Sequence, residues 1–328
     1  MKTAAIRQTE EHVSYDLLIS RMRATYMSSL TRPLAWRRAQ LTAIRRFTVD
    51  HEQAIYSALM ADLGKGEGEA FTTEIAFVRS EIDHALHQLS RWTRDERRST
   101  PFFLQPGRSY VRREPLGVVL VIGAWNLPVP VLLGPAIAAI SAGNAVVLKP
   151  SELAPATAQL IATLLPKYID KDAIAVITGG VPETTALLAE RFDHIFYTGN
   201  GRVGRIVAAA AARNLTPVTL ELGGCNPVIV DGSADLTVTA RRVAWAKWMN
   251  AGQVCVSPNH LLVVREAVEP LVAALRTALL EFYGSSPISH PDYGRIVNAV
   301  HHDRLTALLS DHGGDIGLKG ATNRADRF

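Results

Sequence analysis

Between residues 117 and 222, short apolar runs alternate with longer segments of helical spacing. The runs 118–122, 144–148, 174–177, 194–198 and 216–220 are predicted strands, and 131–141, 155–165, 182–190 and 203–213 are the helices between them. Continuous apolar strands separated by helices predict a parallel sheet covered on both faces. Upstream, residues 14–99 read as helical. Apolar positions recur three and four apart there, as Leu41, Ile44 and Phe47 and then Ile55, Leu59 and Leu63, punctuated by Pro33 and Gly64-Lys65-Gly66. Pro101 and Pro106 close that region, and 110–113 reads as a short strand. Beyond the sheet, a helix over 235–250, a strand near 261–264 and helices over 267–281 and 297–310 are expected. The fold class is therefore α/β: a Rossmann-like parallel sheet preceded by helices, then a second α/β unit that starts near residues 221–224.

The length of 328 residues fits two domains, expected at 1–221 and 222–328. Hydrophobic residues at 48% and charged residues at 20% exclude a disordered chain. From Pro115 to Leu148 there is no charge at all, which is long enough for a membrane span. Pro128, Pro130, Pro135 and several glycines interrupt the run, so it reads as strand, loop, helix and strand, with no membrane segment. Charge is uneven. Residues 1–113 carry 18 basic and 13 acidic side chains, and the remainder 17 and 18. Pairs such as Arg37-Arg38 and Arg97-Arg98 are interleaved with Asp and Glu without stacking aromatics, so solvated surface is expected and nucleic acid is not. Two cysteines are too few for a disulfide scaffold, and the charged first twenty residues have no apolar core of a leader, so a reducing, cytoplasmic setting is expected.

Ligands in such sheets bind beyond the carboxyl ends of the strands, which directs attention to five loops. Gly199-Asn200-Gly201-Arg202-Val203-Gly204 is formally a G-x-G-x-x-G between strand and helix, with Glu221 seventeen residues further on. It occurs fourth in the series, where the dinucleotide fingerprint normally comes first, so a dinucleotide loop with unusual geometry and a plain glycine turn both stand. Lys149-Pro150-Ser151-Glu152 either holds the two hydroxyls of a ribose or is a capped helix start. Cys255, in Asn250-Ala251-Gly252-Gln253-Val254-Cys255, is either an inert thiol or a nucleophile in a polar, glycine-bearing loop. Cys225 is less suited to attack, and a Cys225–Cys255 disulfide is disfavoured. The pairs His84/His87 and His301/His302 lack companions at ligand spacing and read as solvated helix faces, so no metal is expected.

Taken together these residues resemble the aldehyde dehydrogenase superfamily, class 3 type, from about Leu63 onward. Asp62-Leu63-Gly64-Lys65-Gly66 with Thr73-Glu74-Ile75 is similar to its helical region. Glu114-Pro115-Leu116-Gly117 leading to Trp125-Asn126-Leu127-Pro128, Gly143 to Glu152, Phe196 to Asn200, Leu220 to Gly224 and Asn250 to Cys255 resemble its other motifs. The spacings fit as well, 95 residues from Asn126 to Glu221 and 34 from Glu221 to Cys255. The resemblance implies NAD- or NADP-dependent oxidation of an aldehyde, medium- or long-chain aliphatic or aromatic, to a carboxylic acid. It implies Cys255 as nucleophile, Asn126 with the Cys255 backbone N–H as oxyanion donors, and Glu221 as the base that activates water. Glu221 should be desolvated at the end of a buried strand, which would raise its pKa. The implied cofactor residues are Lys149, Glu152, Gly180, Thr198, Gly199, Gly204, Leu222 and Trp125, with full-length relatives forming homodimers.

Leu127, Cys225 and Ser257-Pro258-Asn259-His260 depart from the family's pattern in ways that touch substrate fit or packing. The chain ends at Phe328, where the resemblance implies a further quarter of catalytic domain, so an incomplete second domain with unpaired strand edges and exposed apolar surface is expected. Two alternatives follow: a truncated nucleotide-binding remnant impaired in turnover, and an acylating enzyme that hands its thioester to coenzyme A. Glu221 disfavours the second, because a water-activating base would waste that thioester.

Overall fold

The computed structural model describes residues 14–310, 313–314 and 320–328. The charged stretch over residues 2–11 and the start of the first expected domain lie outside the described residues. Helices α1 (Asp16–Met27), α2 (Leu34–Asp50), α3 (Glu52–Leu63), α4 (Glu67–Ala70) and α5 (Ala76–Trp92) come first, with a π-helical turn at Phe71–Ile75. Pro33 stands at the N-cap of α2, and Gly64 ends α3 at φ +63°, a left-handed position that favours glycine. The helical region stops at Trp92, short of the expected residue 99. Residues 96–98 instead form β1 (Glu96–Arg98), antiparallel to β2 (Ser109–Val111).

The sheet that follows is built from β3 (Val118–Ile122), β4 (Ala145–Lys149), β5 (Ile174–Val176), β6 (His194–Gly199) and β7 (Val218–Leu222). It alternates with α6 (Pro130–Ala142), α7 (Pro155–Leu164), α8 (Val181–Ala189) and α9 (Gly201–Ala212). All pairings are parallel, in the order β5-β4-β3-β6-β7. The pleat explains the unbroken apolar runs. Val119 and Val121 face a core shared with α2, α3, α5, α6 and α7. Val118, Leu120 and Ile122 face the opposite core, shared with α1, α8 and α9. Both faces are buried, so both parities must be apolar. Chain order reverses direction across the sheet at β3, which lies between β4 and β6, and that reversal opens a crevice at the carboxyl ends of β3 and β6.

After β7 a second, two-stranded parallel sheet begins. It joins β8 (Asn226–Val230) to β9 (Pro258–Val263) through α10 (Leu236–Trp248), and α11 (Val268–Tyr283) and α12 (Ala299–Ser310) follow. Asp235 caps α10 by accepting from the Val238 N–H at 3.0 Å. Val230, Ala240 and Leu271 form its small core, while Ile229 and Leu262 stand exposed. Two expectations of solvated side chains need correction: Arg37 is buried, because its guanidinium donates to the Thr31 and Ser141 carbonyls at 3.3 and 3.0 Å. His302 is buried, not solvated, because α12 packs its inner face on the final segment, where the His302 ring meets the Phe328 carbonyl at 3.1 Å.

Candidate active site

The ends of four strands converge on the crevice. Register pairs Ile122 with both Lys149 and Tyr197, and pairs Thr198 with Glu221 and Gly199 with Leu222. The expected residues Lys149, Thr198, Gly199, Glu221 and Leu222 therefore lie along one edge, and Trp125 and Asn126 follow β3 onto the same edge.

Lys149 is almost fully buried. Its ammonium donates to the Pro150 carbonyl at 3.0 Å and to the Glu152 carboxylate at 3.1 Å. Glu152 is half-exposed, so the pair presents a carboxylate to the crevice, held in place by the buried ammonium. Opposite them, Asn200 caps α9 by accepting from the Val203 N–H at 3.0 Å. The start of α9 stays open: a methyl group on Gly201 would meet only the Arg205 guanidinium, at 3.6 Å. A methyl on Gly199 would collide with the Tyr197 ring, and one on Gly204 would press on Leu222 at 3.1 Å. Both positions need glycine for close approach. Gly180 caps α8, its N–H donating to Glu183 at 2.7 Å, with open space on its side-chain face. These features fit a dinucleotide: a ribose at the Lys149–Glu152 pair and phosphates at an open helix N-terminus. The G-x-G-x-x-G lies after β6 and not after β3, the first strand, so it departs from the standard fingerprint.

The cysteine loop sits across the crevice. α10 ends at Trp248, two residues before the helix expected over 235–250 would end, because Asn250, Ala251 and Gly252 all turn left-handed, at φ +53°, +52° and +78°. Two of the three are not glycine, so the elbow stores backbone strain. Several hydrogen bonds hold it there. Gln253 donates to the Asn250 and Arg295 carbonyls, each at 2.9 Å, and accepts from the Val297 N–H at 3.0 Å. We expect Gly252→Ala to lower unfolding stability by about 2 kcal/mol, since it adds left-handed strain and a methyl 3.1 Å from the Lys247 carbonyl. Urea denaturation measures it, and an unchanged midpoint would remove the elbow's claim to strain.

Asn126 and the cysteine loop are joined directly. The Asn126 side-chain amide donates to the Gln253 carbonyl at 3.0 Å, and Asn250 donates back to the Asn126 carbonyl at 2.7 Å. One of the two Asn126 amide N–H groups is thereby used, and among the described residues the other is not engaged. On the loop's far side, Asn226 donates to the Cys255 and Ser257 carbonyls at 2.8 and 3.0 Å. A methyl on Gly224 would stand 3.2 Å from the Cys255 carbonyl. The segment that follows Glu221 thus packs on the loop that carries Cys255. Both cysteines are free and exposed, so the Cys255 thiol is accessible.

The desolvation expected of Glu221 is not found, and its carboxylate is exposed. The reason is topological: β7 is an edge strand of the five, and its last two residues leave the covered part of the sheet.

Sequence reasoning assigned no role to Lys65, Glu74, Asn226, Asn250 or Gln253. Lys65 and Glu74 form an ion pair with both side chains fully buried. Lys65 also donates to the Asn126 carbonyl at 3.1 Å, and Glu74 accepts from the Val129 N–H at 3.0 Å. The pair clamps the 126–129 loop from behind. Burial pushes the carboxyls of Glu74 and nearby Glu69 upward, with Lys65 opposing it. Three positions before Lys65 in that motif, Asp62 caps α7, accepting from the Ala156 and Thr157 N–H groups at 3.0 and 2.8 Å. The available signal was a lysine and an acid in segments that otherwise pattern as buried helix. Trp125 packs against His301 at a tilt, ring centroids 5.2 Å apart.

A model of the aldehyde dehydrogenase family matches residues 4–321. "Aldehyde dehydrogenase, dimeric NADP-preferring" from Canis lupus familiaris is 46% identical over 311 residues, covering 95% of this chain and 68% of that protein. "Aldehyde dehydrogenase family 3 member A2" from Macaca fascicularis is 45% identical over 310 residues, covering 94% of this chain and 64% of that protein. This chain thus spans about two thirds of the length of these relatives. Among solved structures, the substrate-bound state of Staphylococcus aureus AldH superposes with a TM-score of 0.93 at 39% identity, covering 96% of this chain and 69% of that one.

Proposed function

Since the chain belongs to the aldehyde dehydrogenase family, we propose that its crevice oxidises an aldehyde, medium- or long-chain aliphatic or aromatic, to a carboxylic acid with NAD or NADP. One observation carries the reading: the Asn126 amide is tied to the loop of Cys255, and the segment after Glu221 packs on the same loop. In this reading residues 1–221 bind the cofactor and residues 222–328 supply the nucleophile.

Lys149 and Glu152 hold the adenosine ribose. The open N-terminus of α9, with Gly199 and Gly204, takes the pyrophosphate. Gly180, Thr198, Leu222 and Trp125 line the remainder of the bound molecule. When bound, the oxidised dinucleotide supplies the hydride acceptor of the reaction. The Cys255 thiolate adds to the aldehyde carbon. The oxygen of that adduct accepts from the free Asn126 amide N–H and from the Cys255 backbone N–H, donors worth about 2.7–4 kcal/mol of barrier each in such sites. Oxidation leaves a thioester on Cys255. Glu221, exposed to solvent, takes a proton from the water that attacks it, which releases the acid and restores the thiolate. The Glu152 carboxylate opposes a 2′-phosphate by like charge, whereas the canine relative is described as NADP-preferring. Both cofactors are therefore expected to serve.

The test mixes the purified chain with hexanal or benzaldehyde and either oxidised cofactor. Reduced cofactor and free acid in equal amounts are expected. Cofactor binding without reduction would favour a nucleotide-binding remnant, and acyl-CoA in place of acid, on adding coenzyme A, would favour the acylating reaction.

A further inference from the structure

Beneath the cysteine elbow, two buried oxygens lack a donor. Asn250 is fully buried, and its amide nitrogen donates to the Asn126 and Gln253 carbonyls at 2.7 and 3.2 Å. Two carbonyl partners fix which end of that amide is the nitrogen. The other end is therefore an oxygen, and among the described residues this Oδ1 has no hydrogen-bond partner. The second oxygen is Oε1 of Glu69, on α4, which is shut off from solvent and equally unpartnered. The two belong to one contact. The Glu69 carboxyl lies within reach of the Asn250 backbone N–H, which places it beside that residue's own side chain.

Desolvated acceptors without a donor between them cost stability. A carboxyl supplies the donor on taking up a proton, since the neutral acid has one O–H and still accepts on its other oxygen. The surroundings favour that form. Burial pushes the Glu69 carboxyl above the usual range. Lys65 and the Asn250 N–H oppose this, and Glu74 on the π-helical turn and Asp292 in the loop after α11 add to it. The one cation in the group, Lys65, is already bonded to Glu74 and to the Asn126 carbonyl. Tyr283, at the end of α11, faces the same carboxyl and is itself pushed up to about 12, by burial first and Glu69 second, so it stays uncharged.

We infer that Glu69 is a positioning residue for the cysteine elbow: its neutral carboxyl donates to Asn250 Oδ1 and accepts from the Asn250 backbone N–H, holding the first residue of the left-handed run from below. The inference rests on the reading of Cys255 as the nucleophile, because the elbow delivers that residue and the Gln253 carbonyl to which Asn126 is tied. Glu69 acts through Asn250 and touches no reacting group. Ionisation removes the donor and sets a negative charge against Oδ1, so the elbow loosens as pH rises through the titration of this carboxyl.

The experiment compares Glu69→Gln and Glu69→Ala in the full chain. Glutamine keeps a donor and an acceptor without a charge, and alanine keeps neither. In the alanine variant kcat should fall about tenfold with KM for the oxidised cofactor unchanged, whereas the glutamine variant should stay within about twofold of the parent. Hydrogen exchange of the amides of residues 249–256 should quicken in the alanine variant alone. That readout needs no turnover, so it separates failure of this inference from failure of the aldehyde reading. The pH dependence is the sharper measure. A carboxyl whose folded pKa is raised contributes stability at low pH that is lost as pH rises through the folded value. Urea midpoints of the parent should therefore fall relative to those of Glu69→Gln between about pH 5 and pH 8. This comparison decides even if the alanine variant does not fold. Parallel midpoints for parent and Glu69→Gln, unchanged exchange in the alanine variant, or a glutamine variant as impaired as the alanine one would each overturn the inference.

Discussion

Cys255→Ser lowers aldehyde-dependent cofactor reduction by at least about 10³-fold, because a hydroxyl oxygen is a far weaker nucleophile toward a carbonyl carbon than a free, exposed cysteine sulfur. Glu221→Gln gives the complementary result. Its steady-state rate falls by about 10²–10⁴-fold, the usual contribution of a positioned base, yet the first turnover survives. The amide cannot take the proton from water, so the acyl group stays on Cys255 after one equivalent of cofactor is reduced. Rapid mixing reads that burst, and mass spectrometry of the quenched protein reads the acyl adduct. The exposure of Glu221 sharpens the expectation: the carboxylate already meets solvent, and its loss removes a group in contact with water. Wild-type rates in either variant would refute the roles given to these two side chains.

Lys65→Ala destabilises the chain by about 3–5 kcal/mol, the range for removing one partner of a buried ion pair. Both side chains of the Lys65–Glu74 pair are wholly inaccessible, so alanine leaves the Glu74 carboxyl without a compensating charge. It also frees the Asn126 carbonyl from its 3.1 Å bond. Changing both partners, Lys65→Met with Glu74→Leu, should recover most of the stability, since an apolar pair of similar volume removes the desolvation cost. It should not recover kcat, because neither side chain then grips the 126–129 loop. Urea denaturation of the single and double variants separates the two effects. A cost below about 1 kcal/mol for Lys65→Ala would show that the pair contributes little.

The strands of the large sheet were legible because burial on both faces leaves no polar parity, as at 118–122 and 145–149, where every residue is buried. The helices were legible from spacing and punctuation, such as Pro33 before α2 in the opening region. The place of Lys149 and Glu152 was legible because they lie at and just past the end of a recognisable strand, and strand ends in such sheets face the crevice, while their spacing alone left ribose binding and a capped helix start open. Other features depend on partners far along the chain. The exposure of Glu221 follows from the edge position of β7, which strand order decides and local pattern does not. The role of Lys65 rests on Asn126, 61 positions away. The left-handed run at 250–252 was hidden because Ala251 carries no mark of such a conformation, Asn250 and Gly252 only permit it, and periodicity continued the helix to 250 instead. Polar groups buried by long-range contact, like His302 against Phe328, look the same in sequence as solvated ones.

The Asn126 carbonyl is gripped from two directions, by an amine from the opening helices and an amide from the cysteine elbow. The same peptide is therefore held by two segments outside the large sheet. A nick or local melting in either segment would blunt the chemistry first and leave nucleotide affinity for later. Under gradual heating, turnover should vanish while the dinucleotide still binds.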